Sequence, residues 1–150
     1  MHNLNLETEL TIAGTPMATQ SMKVARFGKH IRKYQPAKVT NWQAYVKTYV
    51  LTQLPEDWKP LDCGLYVEYV FVFPILKSMS KKQKQFIKDG GILYKATRPD
   101  LGDNLRKGLN DALSGIVWTD DSRIVSDRGK KIYGEFPRID IKVYSGVNYR

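Results

Sequence analysis

The sequence predicts a single α+β domain over residues 1–150, in which a mainly antiparallel or mixed sheet packs against helices. Segments with strand alternation and segments with helical spacing follow one another in the order strand, loop, helix, strand, helix, helix, strand, strand. Hydrophobic residues make up 42% of the chain, which is enough for one core. No apolar run approaches the ~18–20 residues that a transmembrane helix needs.

The first half of the chain contains two predicted strands and one predicted helix. Residues 6–12 alternate apolar and polar side chains and predict a strand. Residues 14–38 are basic with weak periodicity and predict a long loop or ribbon. Residues 40–54 have aromatic and apolar side chains at helical spacing, with Thr40 as the candidate N-cap. Residues 65–73 are aromatic and β-branched and predict a mostly buried strand.

Two helices are predicted in the second half. Ser80 and Gln83 have the spacing of a capping box and begin a short basic helix that ends at Gly90–Gly91. The segment Asp103–Ser114 has its leucines on one face and predicts a second helix. Gly115 follows that helix, as expected of a residue with positive φ.

The last third of the chain predicts two or three strands. Residues 123–146 alternate apolar and polar side chains, with candidate turns at Asp127–Gly129 and at Gly134–Pro137. The single Cys63 cannot form an internal disulfide, and we expect it to be a buried thiol. A chain with one cysteine fits a reducing, intracellular compartment.

The charge distribution favours a polyanionic partner. The formal net charge is +9, and no acid occurs between Glu9 and Glu56. A positive field of this kind suits nucleic acid, although a basic surface without a dedicated partner is the alternative. The candidate DNA-binding residues are Lys23, Arg26, Lys29, Arg32, Lys33, Lys81, Lys82 and Arg98.

The acids are concentrated in a short part of this basic chain. Asp100 lies just upstream of the predicted helix, and Asp103 lies at its first residue with Lys107 one turn later. Two converging carboxylates repel each other unless a cation lies between them, and Mg²⁺ binds such sites with water and a substrate phosphate. The pattern therefore indicates metal-assisted cleavage of a nucleic-acid backbone.

Each acid also has a purely structural interpretation. Asp103 could be only an N-cap, and Asp100 could be only part of a turn. The pair Asp120 and Asp121 could open a hairpin or cap a turn, and Asp111 could be a solvated helix residue or an ion-pair partner. Zinc is not favoured because the two histidines and one cysteine show no ligand spacing. Nucleotide hydrolysis and acyl transfer lack their usual motifs.

Three motifs over residues 98–125 resemble the RusA-type Holliday junction resolvases of phages and prophages. They are "RPDLGDNLRK", "NDALSGIVW" and "TDDSRIV". Their order and short gaps are similar to the family pattern Pro-Asp-x-Asp-Asn-Leu-x-Lys, Asp-Ala-Leu-x-Gly and Asp-Asp-x-x-Ile/Val. The resemblance implies a RusA-like fold and an endodeoxyribonuclease that nicks opposing strands of four-way DNA junctions in recombination and repair.

The resemblance also implies a homodimer, a Mg²⁺ or Mn²⁺ cofactor, no membrane partner, and a location in the cytoplasm of a bacterial or phage-infected cell. The catalytic acids and metal ligands of the family fall on Asp100, Asp103 and Asp121, and its motif lysine falls on Lys107. Most members have one residue between the first two acids. This chain has two, Leu101 and Gly102, which predicts a bulge at Gly102.

Two rival functions share these features. One is a junction-binding or regulatory DNA-binding dimer without catalysis, which the retained acids argue against because a binder gains nothing from negative charge facing phosphates. The other is a Mg²⁺-dependent nuclease for flaps or single strands. If the protein is a dimer, we expect aromatic side chains between the subunits. The candidates are Tyr45, Tyr49, Tyr66 and Phe73.

Overall fold

The computed structural model describes residues 4–18, 23–34 and 37–147, and within the strands of residues 23–34 it describes the backbone alone. The elements follow the predicted order, with additional short elements around them. They are β1 (Asn5–Ala13), β2 (Lys23–Phe27), β3 (His30–Tyr34), α1 (Ala37–Gln53), β4 (Leu65–Pro74), α2 (Lys81–Lys88), a π-helical turn (Leu101–Arg106), α3 (Lys107–Leu113), a 3₁₀ turn (Asp121–Arg123), β5 (Ile124–Gly134) and β6 (Arg138–Ser145).

The main sheet is mixed, as the sequence predicts. Its strand order is β1-β6-β4-β5, with β6 antiparallel to both of its neighbours and β5 parallel to β4. Parallel strands need a long crossover connection, and residues 75–123 provide it. This crossover includes α2, the π-helical turn, α3 and the 3₁₀ turn. The chain topology therefore returns the acidic motifs to the edge of the sheet formed by β5.

One hydrophobic core lies between the sheet and the helices. Every second residue of β4 from Leu65 to Phe71 is buried, as expected for a strand with one face on the core. Val46 of α1 and Leu109 and Leu113 of α3 are fully buried in the same cluster. The predicted apolar face of the second helix is thus confirmed.

Helix α1 begins at Ala37, three residues before the predicted cap, so the assignment of Thr40 as N-cap is wrong. Ala37 and Lys38 are good helix formers and extend the helix backward. At its other end, Gln53 accepts from the Thr11 amide at 2.9 Å and donates to the Thr11 carbonyl at 2.6 Å. This side chain thereby satisfies backbone groups of the edge strand β1. Among the described residues, no helix is long and apolar enough to cross a membrane.

The capping box of α2 is confirmed. The Ser80 hydroxyl accepts from the Gln83 amide, and the Gln83 side chain accepts from the Ser80 amide, both at 3.1 Å. The two glycines after the helix have different reasons. Gly90 has a positive φ of 90°, whereas a Cβ on Gly91 would lie 2.5 Å from the Phe86 ring, which would have to move.

The basic segment forms a separate two-stranded ribbon, which confirms one of the two predicted alternatives. β2 and β3 pair in antiparallel register, with Lys23 opposite Tyr34 and Phe27 opposite His30. Gly28 adopts a positive φ of 61° in the connecting turn, and Lys29 beside it is exposed.

The predicted turn at Asp127–Gly129 is wrong, because β5 continues through it. Residues 126–134 pair in parallel with β4, which supplies the backbone hydrogen bonds that a turn would have made locally. Gly129 marks a close approach instead, since a Cβ there would lie 3.3 Å from a methyl carbon of Leu101. The predicted turn at Gly134–Pro137 is confirmed, because these residues connect the end of β5 to the start of β6.

Two expectations about single side chains are also wrong. Cys63 is exposed, because it lies in the connection before β4 and outside the alternation that buries β4 residues. Phe73 is only 7% exposed within its own chain, so it fills the core of one subunit and does not lie between two. Tyr45 remains 43% exposed, and its hydroxyl donates to the Ala13 carbonyl at 2.7 Å.

Candidate active site

The first acidic motif folds as a π-helical turn. The Leu105 amide donates to the Asp100 carbonyl at 3.2 Å, and the Lys107 amide donates to the Gly102 carbonyl, so both bonds span five residues. A π turn holds more residues than an α turn and is frequent at functional sites. The additional residue at Leu101–Gly102 is therefore absorbed over the whole turn and does not form a local bulge at Gly102.

Asp100 stands at the N-terminal end of this turn without acting as a cap. Its backbone is extended, with φ −71° and ψ 141°, and its side chain makes no capping hydrogen bond. Instead, the Asn104 side-chain oxygen accepts from the Asp100 amide at 3.2 Å. Asp103 is the third residue of the π-helical turn and is exposed, as Lys107 is. Neither carboxylate has the purely structural capping role that the sequence left open.

Alternate residues of β5 fasten this motif to the sheet. Asp127 pairs with Arg106 at 2.9 Å, and Gly129 leaves room for Leu101. Lys131 donates to the carbonyl oxygens of Thr97 and Pro99, both at 2.7 Å. Residues two apart on a strand share a face, so a single stripe of β5 holds the chain on both sides of Asp100.

The two aspartates of the second motif have different roles. Asp120 caps the 3₁₀ turn by accepting from the Ser122 amide at 2.9 Å. Hydrogen bonding to the Ser122 side chain, and then to its amide, lowers the pKa of Asp120. Asp121 is half-buried, and its Oδ1 accepts from the Trp118 indole at 2.9 Å. Asp120 therefore has the turn-capping role, whereas Asp121 remains a candidate site residue.

Asp111 lies beside the candidate site, although its sequence pattern indicates only a helix-surface residue. It lies one turn after Lys107 on α3, close enough to Asp121 for the two carboxyl groups to interact electrostatically. Burial and then the Asp121 carboxylate raise the pKa of Asp111, and the Lys107 ammonium opposes that rise. Two neighbouring carboxylates repel each other, and a proton or a cation between them would reduce that repulsion. The spacing of Asp111 from Lys107 was visible in the sequence, but its approach to Asp121 depends on tertiary structure.

A small pocket of about 250 Å³ adjoins Asp121. It is lined by Asn110, Asp121, Ile124, Val125, Ser126 and Asp127. Beneath it, the hydroxyl of Tyr69 donates to the Asn110 side-chain oxygen at 2.7 Å. Burial raises the pKa of Tyr69, so its phenol stays neutral and keeps donating this bond.

The described residues contain no group of three or more His, Cys, Asp or Glu side chains arranged to hold a metal ion. The structure therefore brings Asp121 to Asp111, while Asp100, Asp103 and Asp121 do not form one ligand group. Their chemistry nevertheless fits a hard divalent cation, because every donor is a carboxylate oxygen and two of the three are exposed.

The candidate DNA-binding residues are distributed over three surfaces. Lys81 and Lys82 are exposed on the first turn of α2, and Arg98 is exposed just before the π-helical turn. Lys29 is exposed at the tip of the ribbon. The remaining ones lie on its strands, where the side chains are outside the description. They are Lys23, Arg26, Arg32 and Lys33.

Comparison with known proteins identifies relatives along nearly the whole chain. The family model for "Endodeoxyribonuclease RusA" matches residues 13–144. Uncharacterized protein YqaN of Bacillus subtilis (strain 168) is 29% identical over 135 residues, which cover 90% of this chain and 94% of that protein. Crossover junction endodeoxyribonuclease rusA of Lactococcus phage r1t is 25% identical over 141 residues, which cover 93% of this chain and 98% of that protein.

The contacts of Lys131 on β5 predict an effect on the stability of the fold. Replacing Lys131 by Met keeps the aliphatic stem but removes two hydrogen bonds from a charged donor, so we expect the free energy of unfolding to fall by about 2 kcal/mol. Urea denaturation measures the change. Lys142→Met is the matched control, because Lys142 forms only an exposed ion pair with Glu9 at 3.9 Å. The control should lose less than about 0.5 kcal/mol. Equal losses in the two variants would contradict the anchoring role of Lys131.

Proposed function

Because the chain belongs to the RusA family of endodeoxyribonucleases, we propose that it is a metal-dependent enzyme that resolves four-way (Holliday) junctions by paired nicks during DNA recombination and repair. The observation that carries the proposal is the family match over residues 13–144, since this range spans both acidic motifs. The phage relative, named as a crossover junction endodeoxyribonuclease, supports the choice of substrate. The proposed location of an enzyme with such a substrate is the cytoplasm of a bacterial or phage-infected cell.

Asp100, Asp103 and Asp121 are the proposed metal ligands. When bound, Mg²⁺ or Mn²⁺ would polarise a phosphoryl oxygen and lower the pKa of an attacking water. The exposed carboxylates of Asp100 and Asp103 support the assignment, because neither is used as a helix cap. Asp127 is not proposed as a metal ligand, because its carboxylate already pairs with Arg106.

Lys107 is the proposed phosphate contact of the site. It is exposed, and it lies close enough to Asp111 to favour the charged form of that carboxylate. An ammonium in this position can bind a non-bridging phosphate oxygen and offset the repulsion between DNA and the neighbouring acids. Its proposed role is therefore to orient the scissile phosphate beside the carboxylates.

The basic ribbon is the proposed principal DNA surface. Its two strands carry Lys23, Arg26, Arg32 and Lys33, and the turn between them carries the exposed Lys29. A two-stranded antiparallel ribbon can enter the major groove of B-form DNA. Lys81, Lys82 and Arg98 add exposed positive charge on the crossover, which is the part of the chain that also holds the acids.

The active species is proposed to be a two-fold homodimer. A four-way junction offers two symmetry-related cleavage sites, and one domain of this size presents one acidic site. A dimer presents the same site twice and matches the symmetry of the junction.

Replacing the acids should separate cutting from binding. We expect Asp103→Asn and Asp121→Asn each to reduce metal-dependent junction cleavage by at least about a hundredfold, as removal of a group that stabilises transition-state charge does. Junction affinity should stay equal or rise, because a negative charge near phosphates is lost. Gel-shift and cleavage assays on the same labelled junction measure both quantities.

The control for this pair is Asp57→Asn, an exposed aspartate in the connection between α1 and β4. It makes the same charge change outside both acidic motifs and should cut like the unmodified enzyme. If either site variant cuts at the unmodified rate, its role as a ligand is wrong. If both bind poorly, the acids have a structural role.

Salt dependence tests the ribbon. Each neutralised phosphate contributes about −0.9 to the slope of log affinity against log salt, so replacing Arg26, Lys29 and Arg32 by Ala should flatten that slope by up to ~3 units. Fluorescence anisotropy on a labelled junction over a series of salt concentrations measures it. The same triple substitution at Lys81, Lys82 and Lys84 tests the rival surface on α2 and should flatten the slope less. A flatter slope in the α2 variant alone would place the main DNA surface on α2.

Measuring the molar mass in solution tests the proposed two-fold homodimer. We expect light scattering at micromolar concentration to give twice the chain mass. The paired nicks in one junction should then appear together, because both sites are bound at once. A monomer that still makes paired nicks would contradict the dimer and require two successive encounters with the junction.

A further inference from the structure

Trp118 is a buried side chain whose polar atom contacts the candidate site. Its side chain is 0% exposed, and its indole N–H donates to Asp121 Oδ1 at 2.9 Å. An indole nitrogen is a donor only, and a buried indole needs an acceptor. Here that acceptor is a carboxylate that we propose as a metal ligand.

The backbone around Trp118 is fixed from two directions. The Gly115 amide donates to the Trp118 carbonyl at 2.7 Å. On the other side, the Leu61 amide donates to the Val117 carbonyl and the Thr119 amide donates to the Leu61 carbonyl, both at 2.9 Å. The main chain at Trp118 is therefore anchored, and the fully buried indole has little room to change its position.

The turn that carries Asp121 is also anchored. Asp62 Oδ1 accepts from the Thr119 hydroxyl and from Arg123 Nε, both at 2.8 Å. These contacts lie on either side of Asp121 in the sequence. With the main chain fixed in this way, the bond to the indole is what selects the orientation of the carboxylate.

We propose that Trp118 is a positioning residue for divalent-metal binding: it holds Oδ1 of Asp121 and so presents the second carboxylate oxygen to the cation. This inference rests on the proposed function, because it takes Asp121 to be a metal ligand. Hydrogen-bond partners of metal ligands fix ligand orientation, and their loss typically weakens metal affinity by about 10–100-fold.

Calorimetric titration with Mn²⁺ alone tests the proposal without DNA cleavage. Trp118→Phe should bind Mn²⁺ about tenfold more weakly than the unmodified protein. Trp58→Phe is the matched control, because the Trp58 indole donates to the Ile116 carbonyl at 3.1 Å and not to an acid. The control loses an indole hydrogen bond of the same type and should keep its Mn²⁺ affinity. Equal affinities in the unmodified protein and Trp118→Phe would overturn the proposal.

A second measurement keeps Trp118 in place and tests the premise of the proposal, a cation held by Asp121 beside the indole, even if Trp118→Phe does not fold. The chain has three tryptophans, so replacing Trp42 and Trp58 by Phe leaves Trp118 as the single emitter. Paramagnetic Mn²⁺ bound at Asp121 should quench its fluorescence, and diamagnetic Mg²⁺ should reverse the quenching by competition. Adding Asp121→Asn should abolish the effect. Quenching that is missing, or that persists with Asp121→Asn, would overturn the proposal.

The outcomes distinguish this inference from the function on which it rests. If Asp121→Asn leaves Mn²⁺ affinity unchanged, Asp121 is not a ligand and the proposed metal role fails with the positioning role. If Asp121→Asn loses Mn²⁺ while Trp118→Phe retains it, the metal role stands and only the positioning role is wrong.

Discussion

The parallel pairing of β5 with β4 is the constraint on which the candidate site depends. It forces residues 75–123 into one crossover that leaves the sheet beyond β4 and returns at the edge. Both acidic motifs lie in that crossover. Once β5 is in place, Asp127 and Lys131 hold the segment around Asp100 by charged hydrogen bonds, while Gly129 admits Leu101. The sheet thus determines the position of the segment that carries Asp100 and Asp103.

Much of this architecture could be predicted from the sequence because its causes are local. The alternation in β4 follows from two-residue periodicity, and the start of α2 follows from a capping box that needs only Ser80 and Gln83. The buried leucines of α3 follow from helical spacing. The motif spacing placed Asp103, Lys107 and Asp121 among the candidates, and these assignments remain predictions about function.

The features that the sequence did not predict depend on contacts between distant segments. Asp127–Gly129 has the composition of a turn, but pairing with β4 makes it part of a strand. The additional residue at Leu101–Gly102 was visible, whereas its absorption in a π-helical turn depends on the hydrogen bonds of the folded chain. Asp111 has an ordinary helix-surface pattern, and only the 3₁₀ turn brings Asp121 to it.

Cleavage of branched DNA by this acidic site is tested most directly on a synthetic four-way junction with each strand labelled in turn. We expect paired, symmetric nicks in opposing strands when Mg²⁺ or Mn²⁺ is present, and intact but bound junction when the metal is chelated. Binding without cleavage in either metal would contradict it and favour a junction-binding protein. Cleavage of flaps or single strands in preference to the junction would contradict the proposed substrate.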